Sequence, residues 1–215
     1  MPLRRLRFRM MNAEGVFNSV YRNNTWDGDE SVSGPGASLR QTQAIRRELP
    51  LLIERLGIRT LLDAPCGDFN WMKETTLGLD RYIGIDIVAD LVESNRLLHS
   101  SEGRTFIRKN LIIDSLPEVD LILCRDCLVH FSYSDARAAM RNFRASKSTY
   151  LLTTTFAARH SNTDIVTGDW RPLNLQAPPF NLPPPITMLD EKCSEANGQY
   201  HDKRLGLWRI VDLPE

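Results

Sequence analysis

Thr60-Leu-Leu-Asp-Ala-Pro-Cys-Gly-Asp68, followed about one helix later by Tyr82-Ile-Gly-Ile-Asp86, decides how this chain folds. The first stretch reads as a buried strand running into a tight loop. The second reads as another strand, ending in a carboxylate. In an open parallel sheet the loops at the carboxyl ends of neighbouring strands form a crevice, and an acidic side chain ending the second strand accepts hydrogen bonds from both hydroxyls of a ribose. A loop that cradles a pyrophosphate needs several glycines, so that backbone N–H groups can approach the phosphates. This loop has only Gly67; Pro65 lacks an N–H altogether, and Asp68 repels a pyrophosphate. The crevice suits a cofactor with a ribose and a positive charge better than a dinucleotide.

At these residues the chain resembles the class I S-adenosylmethionine-dependent methyltransferases, whose first motif runs hydrophobic-Asp-x-Gly-x-Gly and whose second strand ends in Asp or Glu. Asp63, Gly67 and Asp86 match, whereas Pro65 stands at the first motif glycine and Phe69 at a later one. The fuller string Asp63-Ala-Pro-Cys-Gly-Asp-Phe-Asn-Trp71 is similar to a bacterial subgroup of that superfamily, and the resemblance runs from about Phe17 to Trp208. It implies a Rossmann-like α/β fold with strand order 3-2-1-4-5-7-6, the last strand antiparallel and helices on both faces, and S-adenosyl-L-methionine as cofactor. The cofactor contacts it implies are Asp63, Pro65, Cys66, Gly67, Asp86, Ile87, Asn110 and Arg125. Among these, Asp86 takes the ribose diol, Asp63 orients the loop and faces the amino-acid portion, and Asn110 bonds the adenine amino group. Plainer readings stand beside them. Asp86 also fits a solvated strand-end carboxylate, Asp63 a loop anchor, and Asp114 competes with Asn110. Arg125 fits an ion pair with Asp68 or Asp126, or a contact to an anionic substrate group.

Apolar residues make up 42% of the 215 residues and charged ones 25%, the composition of an ordinary globular chain of one domain. Lys+Arg and Asp+Glu are equal at 27 each, so no global field steers the chain toward nucleic acid, and none is expected as a partner. No run approaches the roughly 18 apolar residues of a spanning helix, so no membrane partner is expected either. Arg4, Arg5, Arg7 and Arg9 form a small basic arm without the apolar core of a secretory signal; a transit peptide is the competing reading. Four cysteines do not make a disulfide framework in a chain of this length, and a reducing cytoplasm is the expected location.

Helix and strand signals alternate from about residue 40, as in a parallel α/β sheet. Gln41 to Leu56 has helical apolar spacing, with Pro50 predicting a kinked or split helix. Strands are expected at Thr60–Ala64, Tyr82–Val88, Thr105–Arg108, Asp120–Arg125 and Tyr150–Phe156, with helices at Trp71–Thr76, Leu91–Ser100 and Ser134–Ala145. Six prolines between Pro172 and Pro185 exclude regular structure there. Ile186–Leu189 and Arg204–Val211 then read as an antiparallel hairpin closing the sheet. The expected organisation is an N-terminal segment, 1–40, contributing to a pocket, and a domain over 41–215 in which 157–185 is a substrate-side insertion.

The fourth strand ends in Leu123-Cys-Arg-Asp-Cys-Leu-Val-His130. A methyl acceptor usually loses a proton, and Asp126 or His130 is the expected base, His having the unperturbed pKa nearest neutrality. A packed histidine donating to backbone is the competing reading. Cys124-x-x-Cys127, with Cys66 nearby, lacks the second pair that a zinc site needs, and no metal is expected. Trp26 and the Ser31–Ser38 stretch, Ser33 included, read as a substrate-binding segment with an anion site at a helix N-terminus, or as ordinary capping by Ser38. Trp170, Arg171 and Asn174 lie in a long irregular segment, expected to roof the substrate or to be a plain surface loop. The expected activity is methyl transfer to an oxygen or nitrogen of a small polar or sugar-like acceptor. A nicotinamide-nucleotide enzyme and a degenerate, partner-binding methyltransferase fold are the alternatives.

Overall fold

The computed structural model describes residues 3–214, with side chains from residue 5 onward. Seven strands form one sheet in the order β3-β2-β1-β4-β5-β7-β6: β1 (Thr60–Asp63), β2 (Arg81–Asp86), β3 (Arg104–Arg108), β4 (Leu121–Cys124), β5 (Tyr150–Phe156), β6 (Thr187–Asp190) and β7 (Lys203–Arg209). The first five run parallel, and β7 pairs antiparallel with both β5 and β6. Every residue of β4 and nearly all of β1 is buried, as expected for central strands covered on both faces.

Side-chain alternation along these strands divides the core in two. Leu61, Leu121, Leu123 and Leu152 pack with Ile45, Leu49, Leu52 and Ile53 of α3 (Gln43–Leu56) and Val92 of α4 (Ala89–His99). On the other face Leu62, Ile122, Cys124 and Leu151 pack with Ala136, Ala139, Met140 and Phe143 of α5 (Tyr133–Ala145). Pro50 does not split α3, which runs unbroken from Gln43 to Leu56. Its four fully covered apolar side chains outweigh the roughly 3 kcal/mol that an interior proline costs. Trp71–Thr76 is not a helix but a single 3₁₀ turn, Met72–Glu74.

Two N-terminal helices were not among the expected elements: α1 (Leu3–Arg9) and α2 (Ala13–Arg22). Asn12 caps α2, its side chain accepting from the Gly15 N–H at 2.9 Å. Phe8, Val16 and Val20 bury a small satellite core with Trp26 and Val166. Of the basic arm, Arg5 pairs with Asp169 at 2.6 Å, and the side chain of Arg4 lies outside the described residues. Residues 157–185 contain no helix or strand among the described residues, yet Leu173, Leu175, Phe180 and Leu182 anchor that segment in the core beside α5. Among the described residues no helix is long and apolar enough to cross a membrane.

Candidate active site

The carboxyl ends of β1, β2 and β4 open into one cavity of about 390 Å³, closed above by the N-terminal segment. Register places Asp63 beside Gly84 of β2 and Leu123 of β4, so the loop after β1 lies between the ends of its two neighbours. That loop is tied down at Cys66, whose N–H donates to the Ile85 carbonyl at 2.8 Å. Gly67 has φ +53°, and a Cβ there would overlap Ser33 Oγ, so both backbone conformation and close approach demand glycine.

Asp86 is 7% exposed, and its two oxygens accept from the Val88 N–H at 2.9 Å and the Gly67 N–H at 3.2 Å. Each oxygen keeps a further lone pair for a ligand hydroxyl. Burial raises its pKa to about 6, against the lowering effect of those N–H groups. Asp63 accepts from the Tyr82 hydroxyl at 2.5 Å; burial pushes its pKa up to about 7. Asn110 lines the same cavity, with its Oδ1 accepting from the Ile112 N–H at 2.9 Å. Asp114, its competitor, accepts from the Asn110 N–H at 2.7 Å and does not line the cavity.

The end of β4 is a charge cluster. Arg125 donates to Glu191 Oε2 at 2.8 Å and to the Gly36 carbonyl at 2.9 Å, and lies over the Trp71 ring. Asp126, at φ +51°, receives Lys203 Nζ at 2.6 Å, and Lys203 also reaches Glu191 at 3.3 Å. Burial alone would raise the Asp126 pKa, but Lys203 and Arg125 hold it well below the usual carboxylate range. His130 differs. Its Nδ1 lies 3.0 Å from the Asp169 carbonyl, its ring is 4.7 Å from that of Trp26, and burial lowers its pKa to about 4.

Of the residues expected from sequence, Trp26, Ser33, Asp63, Pro65, Cys66, Gly67, Asp86, Ile87, Asn110, Arg125, Asp126, His130 and Trp170 all line this cavity. Arg171 and Asn174 do not. Arg171 is buried and donates to the Thr163 and Leu128 carbonyls at 3.0 and 2.9 Å. Asn174 bonds the Arg159 carbonyl and the Gln176 N–H. The hydrogen bonds of both go to backbone groups, in the irregular segment and, for Arg171, also in the turn after β4. The anion site expected around Ser33 is filled from within the chain: Ser31 Oγ at 2.8 Å, the Val32 N–H at 3.0 Å and Ser33 Oγ at 3.2 Å all donate to Asp68. Moreover α3 starts at Gln43, well beyond that stretch. Cys66, Cys124, Cys127 and Cys193 are all free and buried. Phe17, Tyr21, Glu195, Tyr200 and Lys203 also line the cavity and were missed. For Phe17 a local signal existed, since Asn12 followed by apolar residues at 16, 17 and 20 is a capped amphipathic pattern.

The strand order, with β7 antiparallel at its place between β5 and β6, defines the Rossmann-like fold of class I methyltransferases. Among solved structures, magnesium protoporphyrin IX methyltransferase from Synechocystis PCC 6803 with bound SAH superposes with a TM-score of 0.50 at 16% identity, covering 68% of this chain and 71% of that one. Human N-acetylserotonin methyltransferase in complex with SAM gives 0.49 at 17% identity, over 68% of this chain and 42% of that one. The methyltransferase domain of bacterial CtHen1 gives 0.47 at 12% identity over 55% of this chain, and the match spans 66% of that domain. No protein-family model and no curated protein matches the sequence. At such identities the likeness is one of fold.

Proposed function

We propose that this protein is an S-adenosylmethionine-dependent methyltransferase acting on an oxygen or nitrogen of a small acceptor. The observation that carries this reading is the pair of buried carboxylates, Asp63 and Asp86, ending β1 and β2 on one cavity with Gly67 between them. Asp86 keeps lone pairs for a ribose diol, and the carboxylates around the loop favour a cationic cofactor. Pyrophosphate meets Asp63, Asp68 and Asp86 with a single glycine to admit it, so a nicotinamide dinucleotide fits poorly.

Bound S-adenosylmethionine supplies an electrophilic methyl group. The chain contributes position: Asp86 and the 66–67 loop hold the ribose side, Asn110 and Ile87 flank the base, and the segment from Phe17 to Ala37 with Trp170 covers the acceptor side and excludes water. For the proton, His130 fits better than Asp126. A carbonyl only accepts, so the contact with Asp169 places the histidine proton on Nδ1 and leaves Nε2 with a free lone pair. Asp126 is committed to Lys203 and Arg125 as an anchor. Calorimetric titration with S-adenosylhomocysteine and with NAD tests the reading. Binding of the first alone is expected; binding of NAD alone, or of neither, overturns it.

A further inference from the structure

Six of the aromatic rings that line the cavity fall into two clusters outside the β1 and β2 loops proposed for the cofactor. In the first, Phe17 lies 6.3 Å from Trp26 and 5.8 Å from Phe131, and Trp26 stacks at 4.7 Å on His130. In the second, Trp170 and Tyr200 are 4.8 Å apart and both meet Phe156 edge-on, at 6.0 and 5.9 Å. The backbone joins the clusters, because Asp169, whose carbonyl holds His130, directly precedes Trp170. Trp170 remains 39% exposed although it belongs to this wall. Large rings left partly uncovered around a base are a surface for a flat ligand.

Charge narrows the ligand further. The two cations at the ends of β4 and β7 are paired with carboxylates, Arg125 with Glu191 and Lys203 with Asp126 and Glu191, while Lys109, after β3, donates to the Ser115 carbonyl at 2.8 Å. Glu195, by contrast, lines the cavity with only the Cys193 thiol at 3.5 Å bonded to its carboxylate. A carboxylate or phosphate seated beside Glu195, between the ring clusters, would meet negative charge where Arg125 and Lys203 are already paired with carboxylates. A polyol fares little better, since Arg125 directs its hydrogen bonds to Glu191 and the Gly36 carbonyl, and Lys203 directs its own to Asp126.

We propose that the acceptor is a hydroxylated aromatic ring without an anionic substituent, seated between the two ring clusters with its hydroxyl donating to His130 Nε2. This rests on the methyl-transfer reading and replaces the sugar-like acceptor expected from sequence. In the transfer the bond from hydroxyl oxygen to methyl carbon forms as the sulfur–carbon bond breaks, and the electron pair of that bond stays on sulfur. The hydroxyl proton passes to His130 Nε2 and from there to water.

The test uses the full chain saturated with S-adenosylhomocysteine, titrated calorimetrically with methyl 3,4-dihydroxybenzoate, 3,4-dihydroxybenzoate and methyl α-glucoside. The neutral ester is expected to bind at least about tenfold more tightly than the other two, the scale of leaving one buried polar group without a partner. Trp170→Ala should weaken ester binding about tenfold and leave S-adenosylhomocysteine affinity unchanged, with Tyr200→Leu as a second variant if the first does not fold. Equal or tighter binding of the carboxylate or the glucoside overturns the proposal. So does absence of ester binding, or ester binding indifferent to both substitutions, in protein that still binds S-adenosylhomocysteine. Failure to bind S-adenosylhomocysteine at all instead overturns the methyl-transfer reading beneath it.

Discussion

The Nδ1 of His130 lies 3.0 Å from the backbone carbonyl of Asp169, a residue of the irregular segment that follows β5. A carbonyl only accepts, so this contact places the imidazole proton on Nδ1 and leaves Nε2 of a cavity-lining histidine to accept. His130→Ala is therefore expected to lower kcat by about 10²–10⁴-fold, the usual worth of a positioned base, while S-adenosylhomocysteine affinity stays within about twofold. Burial holds the histidine near pKa 4, so the acid limb of kcat/KM for the acceptor, at saturating S-adenosylmethionine, falls near that value and not near 6.5. Turnover that survives the substitution removes His130 from the chemistry.

The segment carrying Asp169 is itself clamped by the N-terminal helices. Gly168 has φ +99°, its N–H donates to the His130 carbonyl at 2.8 Å, and a Cβ there would overlap Val16 and Phe8. Gly168→Ala is expected to cost about 1–3 kcal/mol through overpacking and to reduce turnover, because the strained segment is the one that orients His130. Cofactor affinity should hold, since the β1 and β2 loops are untouched. Chemical denaturation and steady-state kinetics check the two parts separately; wild-type turnover in the destabilised variant would show that His130 needs no such clamp.

Lys203 joins Asp126 and Glu191 at the cavity wall, with Lys203 and Glu191 buried and Asp126 partly exposed. Lys203→Met leaves Arg125 as the sole cation for both carboxylates. A loss of about 3–5 kcal/mol is expected, the scale for breaking a buried pair from one side. The loss should shrink at low pH. Lys203 helps depress the Asp126 pKa, so its contribution is full above the unfolded carboxylate value near 4 and fades as pH falls below it. A pH-independent difference between the two proteins, followed by urea denaturation, would refute the assignment.

What the sequence disclosed follows the reach of each interaction. Strands such as Thr60–Asp63 and Tyr150–Phe156 are short runs of apolar or β-branched residues between punctuating loops, so local pattern suffices. The Asp63–Gly67–Asp86 site was legible because strand ends and the loop between them are fixed by the same pattern. Lys203 and Glu191 were not, because the partners that make them part of the site lie 77 and 66 residues away in sequence. Arg171 and Asn174, expected on the cavity wall, lie off it for the opposite reason. Polar residues in a long irregular stretch suggest ligand contacts, but such a stretch has unpaired backbone groups, and these two side chains satisfy its own carbonyls and N–H groups.

Asp86 combines a ligand role with an unusual titration. Burial raises its pKa to about 6 in the free protein, whereas ribose hydroxyls donate best to the ionised carboxylate. Cofactor binding should then release a proton near pH 6, and S-adenosylhomocysteine affinity should fall by up to about tenfold per pH unit below that point. Stability runs the other way. A carboxyl whose folded pKa is raised binds more protons folded than unfolded between about 4 and 6, so its stabilising contribution is complete below that window and is lost as pH rises through it. Asp86→Asn keeps the shape, removes both effects, and is expected to weaken S-adenosylhomocysteine several-fold at pH 7 through loss of a charge-assisted acceptor. Calorimetry in two buffers of different ionisation enthalpy measures the proton release directly, and melting curves against pH measure the stability term by difference between wild type and variant. An affinity flat from about pH 5 to 7.5 in the wild type, together with unchanged affinity in Asp86→Asn, would mean that Asp86 does not receive the ribose, and the cavity between β1 and β2 would lose its assignment as the nucleoside site.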